Sequence, residues 1–151
     1  MTGKFLIEKH SHPADIFLSD GRVIEARLFL AEYAQTHDGS QTVRDLIDEP
    51  GEVLPAVDTD DEFLLLNKRA VSAVSVAPTE LDLEGYWHET PVTLRLIGGH
   101  RVEGALLFED GSGQRLSDAI NNAGEWIRVR RSDQLVWVRM SALVSARSSE
   151  A

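Results

Sequence analysis

Apolar and polar residues alternate in short runs along this chain, and the same order of runs occurs twice. Ile16 and Leu18 alternate with Asp15, Phe17 and Ser19; beyond Asp20-Gly21, Ile24, Ala26, Leu28 and Leu30 share one face and Glu25 and Arg27 the other. Period two predicts strands with one buried face, and an Asp-Gly pair between two such runs predicts a hairpin. Thr42 to Asp48 is long enough only for a helical turn or a short strand. Val53 to Val57, Phe63 to Leu66 and Val71 to Val76 supply three further strands.

The order then restarts. Val92, Leu94 and Leu96 fall where Ala14, Ile16 and Leu18 fell, Gly99 where Gly21 fell, and Val102, Gly104, Leu106 and Phe108 where Ile24, Ala26, Leu28 and Leu30 fell. Leu116 to Asn121 answers Val43 to Asp48, with Ser117 placed to cap a single turn from Asp118. Trp126-Ile127 answers Val53-Leu54, and Val138 to Leu143 answers Leu66 to Val71. Few of these matches are identities; what recurs is apolar positions, glycines and gaps. Gly104, in the middle of a long strand, gives a sheet the freedom to bend as it closes.

The expected fold is therefore all-β: two tandem Sm-like or SH3-like small β-barrels, with five short strands and one helical turn in each. The expected divisions are an N-terminal arm over 1–13, a first repeat over 14–77, a linker over 78–90, a second repeat over 91–147 and a tail over 148–151. Val92 to Leu96, Gly99 to Gly104, Arg115 to Asn121 and Val136 to Arg139 resemble bacterial domains of the Sm-like small-barrel kind. That resemblance implies a fold and brings no activity with it. Sm-like proteins often form rings or bind RNA, but fold does not carry function, and only the fold is taken over here.

Composition narrows the function. The chain has 151 residues, no cysteine and a net charge of −10. A polyanion is held by lysine and arginine, so this acidity makes nucleic acid an unlikely partner without a local basic patch. The absence of cysteine rules out disulfides and thiolate chemistry and fits a cytosolic setting. No run of 18 apolar residues is present, so no membrane insertion is expected.

Candidate chemistry is sparse. His10 and His12, with Asp15 or His37, offer metal-ligand atoms but no second matching pair, and exposed histidines are the better reading. Asp58, Asp60, Asp61 and Glu62 invite calcium, but Phe63 and Arg69 stand where an EF-hand loop needs glycine and glutamate; a solvated hairpin tip is favoured. Gly111-Ser112-Gly113 lacks the lysine of a phosphate loop, and Ser117-Asp118 lacks a motif-placed histidine. No cofactor and no catalytic constellation is expected.

Two surfaces remain. On Trp126 to Arg131, alternation puts Trp126, Arg128 and Arg130 on one face, with Arg131 beside them, where an aromatic ring and guanidinium groups could hold a base or a phosphate. A solvated strand face whose arginines pair with nearby acids is the plainer alternative. Leu135, Trp137 and Trp87 are candidates for an interface, because Trp137 alternates with Val136 and Val138 and both faces of that strand need covering. Packing between the two repeats would cover them equally well. The sequence thus favours a non-enzymatic interaction or assembly module that associates with itself or a protein partner, with ligand or RNA binding at the Trp126 face as the alternative.

Overall fold

The computed structural model of the protein describes residues 9–31, 41–78, 87–109 and 115–149. In the first half lie β1 (Lys9–Leu18), β2 (Val23–Ala31), a short helix α1 (Val43–Asp48), β3 (Val53–Asp58), β4 (Phe63–Asn67) and β5 (Val71–Val76). The second half holds β6 (Trp87–Leu96), β7 (His100–Glu109), α2 (Leu116–Asn121), β8 (Trp126–Arg131), β9 (Gln134–Arg139) and β10 (Leu143–Ser148). A single 3₁₀ turn precedes the last strand of each half, at Lys68–Ala70 and Met140–Ala142.

Every expected strand is present, and two start earlier than the apolar pattern indicated. β1 begins at Lys9, inside the expected arm, because residues 9–13 pair with β2. β6 begins at Trp87, inside the expected linker, because residues 87–90 pair with Glu109 to Leu106 on β7. Both extensions carry mixed or polar residues, whose pairing is made by the backbone and leaves little mark on side-chain periodicity.

The halves agree in register as well as order. Asp15 lies opposite Glu25 on one side and Ser75 on the other; Thr93 lies opposite Glu103 and Arg147. Arg27 pairs with Val57 as Ala105 pairs with Arg130, and Leu54 with Leu66 as Ile127 with Val138. Even the irregularity on the last strand recurs, between Phe17 and Leu18 opposite β5 and between Leu143 and Ser145 on β10. These registers make Phe63 the counterpart of Leu135, Leu65 of Trp137, Ser75 of Arg147 and Val74 of Ala146.

The closure expected of each barrel is not what the strand pairing gives. All ten strands form one antiparallel sheet in the order β10-β6-β7-β8-β9-β5-β1-β2-β3-β4. Within each half the order is fifth, first, second, third, fourth. A half would close by pairing its fourth strand with its own fifth, but the free edge of β5 is taken by β9 of the other half. The sheet therefore runs through both halves and ends at β10 and β4.

Two apolar cores follow from this path. Ile16, Leu18, Leu28, Leu30, Leu54 and the inner face of α1 form one; Val92, Leu94, Val102, Leu106, Ile127 and Val129 form the other. In α1, Thr42 and Asp45 make a reciprocal capping box that satisfies two backbone N–H groups at the helix start. α2 starts two residues before the position expected for it: Leu116 is its first residue, so Ser117 lies within the helix, and no side chain caps its N-terminus among the described residues.

Gly104 has a different reason from the bend expected of it. A Cβ there would stand 2.4 Å from the Arg130 carbonyl oxygen and 2.8 Å from Val129 Cγ1, so only glycine lets β8 approach β7.

Candidate functional site

The feature that most distinguishes this molecule is the joint at which β5 meets β9. Ala73 lies opposite Val138, Val74 opposite Trp137, Ser75 opposite Val136 and Val76 opposite Leu135. All six residues of β5 are buried, and so are the four central residues of β9. Alternation divides them between the cores: Leu135 and Trp137 join the first-half core, Val136 and Val138 the second-half core. The expectation that Leu135 and Trp137 form an outward surface is thereby corrected. Trp137 is 1% exposed, and the two halves cover both faces of its strand. Trp87 begins β6, opposite Glu109.

Polar contacts latch the joint. Arg139 Nε donates to the Val71 carbonyl at 2.7 Å, and Ser72 Oγ donates to the Ile97 carbonyl at 2.8 Å. His100 Nε2 sits 2.6 Å from the Leu18 carbonyl, and its ring meets Phe17 edge-on at 5.2 Å. Burial pushes Arg139 below the usual guanidinium range, with Glu125 acting in the opposite direction. The Gln134 side chain lies 3.5 Å from Ser75 Oγ at the end of the strand pair.

The Trp126 face is formed as the alternation predicted. Ile127 and Val129 are buried, Trp126 and Arg128 half-buried, and Arg130 and Arg131 exposed. Two of its arginines are already engaged. Arg130 makes a two-pronged ion pair with Glu89, at 3.0 and 2.7 Å, which raises its pKa; Arg128 lies over the Trp137 ring, 5.4 Å from its centroid. Glu89 was not foreseen as the partner because it fell in the stretch read as linker.

Elsewhere the described residues bring little chemistry together. His12 Nε2 lies 3.1 Å from the Ala77 carbonyl; His37, the side chain of His10 and the Gly111-Ser112-Gly113 stretch lie outside the described residues. Asp58 closes the β3–β4 turn by accepting from the backbone N–H groups of Asp60 and Glu62 at 2.8 and 3.0 Å, and Asp61 pairs with Arg27 at 2.6 Å. These carboxylates are occupied as turn and surface groups. Among the described residues no three His, Asp or Glu side chains converge as metal ligands, and no helix is long and apolar enough to cross a membrane.

What stands open is at the two ends of the sheet. β4 and β10 each have one strand neighbour among the described residues. β4 exposes Phe63 at 65% and Leu65 at 59%, and β10 exposes Val144 at 65%. No protein-family model, curated protein or solved structure was found to match this chain.

Proposed function

We infer that this protein is a non-enzymatic assembly module, built from two units of the Sm-like small-barrel type, that associates with further copies of itself through its sheet edges. The observation that carries this reading is the pair of sheet ends, β4 and β10, which expose large apolar side chains along edges that have no strand neighbour among the described residues. An unpaired strand of this kind is a template for another strand, and monomeric proteins usually blunt it with charge, proline or a covering loop. Phe63 and Leu65 do the opposite. The repeated strand order and the 3₁₀ turn before each last strand support the small-barrel assignment of the halves.

Light scattering of the full chain at micromolar concentration, at low and at high salt, tests this. A discrete mass of several chains is expected. A monomer throughout the concentration range would overturn the reading.

A further inference from the structure

The internal joint supplies a template for the open ends. β9 and β4 are counterparts, and so are β5 and β10; the chain has made one fourth-to-fifth strand joint internally and, among the described residues, left the outer edge of one fourth strand and of one fifth strand without a strand neighbour. The geometry points to a second copy of this chain as the occupant of each end, its β4 adding antiparallel to β10 in the register of the internal joint. This rests on the assembly reading above and specifies its contact. Transferring the β5–β9 register places Phe63 opposite Ser148, Leu64 opposite Arg147, Leu65 opposite Ala146 and Leu66 opposite Ser145.

Three observations converge on that pairing. The first is an uncovered core. In the first half, Val43, Ile47, Val71 and Val74 are buried, with Leu135 and Trp137 from β9 packed in the same cluster. Their second-half counterparts Leu116, Ile120, Leu143 and Ala146 are only partly buried. That core lacks the side chains that β9 gives to the other, and Phe63 and Leu65 of an incoming β4 occupy the corresponding positions. Each copy thus exposes at one end what the other end lacks.

The second observation is Val144. Its counterpart Ser72 is fully buried at the internal joint, where it meets the β6–β7 turn at Ile97. An incoming copy would bring the matching turn, at Ser19, over Val144. The third is charge. At the internal joint Ser75 faces Gln134, a neutral contact. Their counterparts at the open ends are Arg147 and Glu62, both exposed and neither ion-paired within the chain among the described residues. The outer joint therefore sets a cation against an anion where the inner one has neither, which distinguishes the two otherwise similar joints.

A β4-to-β10 contact is head-to-tail, so it either closes into a ring or continues as a filament. Every chain brings two halves, and a closed ring holds an even number of them.

The test exploits the lack of cysteine in the chain. Phe63→Cys and Ser148→Cys in one chain are expected to cross-link copies on oxidation into a ladder that reducing agent collapses, whereas the out-of-register pair Phe63→Cys and Ser145→Cys is not. Leu65→Lys, checked for folding by circular dichroism, is expected to abolish the oligomer. Glu62→Arg or Arg147→Glu alone is expected to weaken association by about five-fold, the scale of an exposed ion pair, and the double reversal to restore it. A wild-type monomer overturns both the assembly reading and this contact. An oligomer that survives Leu65→Lys, without the in-register cross-link, overturns this contact and leaves assembly standing.

Discussion

Trp137 is the largest fully buried side chain of the joint. Its ring is buried against the first-half core, yet its indole N–H has no hydrogen-bond partner among the described residues. A buried donor left unpaired costs about 1–3 kcal/mol, which offsets part of what the ring contributes by burial. Trp137→Phe removes the orphan donor along with some volume and is expected to change the free energy of unfolding by less than about 1 kcal/mol; Trp137→Ala leaves a cavity and is expected to cost about 3–5 kcal/mol. Urea denaturation of the two variants reads the difference. Gly98, in the β6–β7 turn, is a second tightly constrained position. Its φ is +100° and a Cβ would lie 2.5 Å from the Leu18 carbonyl, whereas neighbouring Gly99, at φ +78°, has nothing within 4 Å of a built Cβ. Alanine at either position carries backbone strain of about 1–3 kcal/mol, so Gly98→Ala is expected to lower the melting temperature more than Gly99→Ala by the cost of displacing the Leu18 carbonyl contact. The alternation around Trp137 was legible in the sequence, and so was the need to cover both its faces. What covered them was not, because periodicity fixes which way a side chain points and says nothing of which strand lies across from it.

The strands were legible in the sequence, except for the first residues of β1 and β6. β3, β4 and β8 carry alternating burial, and β5 and β9, buried on both faces, read as unbroken β-branched or apolar runs. Helix starts were less legible. Thr42 caps α1 with reciprocal bonds to Asp45 of 3.2 and 2.8 Å, while the serine marked for that role in α2 lies inside the helix. A hydroxyl caps only from the residue that precedes the first helical turn, and a shift of two positions removes the effect. Thr42→Ala is therefore expected to cost about 1 kcal/mol in chemical denaturation, and Ser117→Ala less than about 0.5 kcal/mol.

For the whole molecule, the repeat gave the succession of elements in each half and the wrong closure. A closed unit and an open unit joined to its neighbour bury the same inward-facing residues, so one alternating pattern serves both. The distinction lies in which edge β5 prefers, and that is set by long-range complementarity between β5 and β9. Charge at this scale works against association, since a chain of net charge −10 repels its copies. Salt relieves that repulsion while also weakening a local pair such as Glu62 with Arg147, so the two effects oppose each other. Paired charge reversals hold the net charge nearly constant and separate them, which ionic strength alone cannot do.

The joint also imposes an order on how the chain is completed during synthesis. Leu135 and Trp137 belong to the core of the first half, although they lie on the fourth strand of the second. A nascent chain that has released residues 9–78 has made all five strands of that half, but β5 still lacks the strand that covers its outer edge. The first half thus waits, with Val74 and Val76 uncovered on that side, for nearly the whole of the second to emerge. Its folding is tied to the emergence of β9.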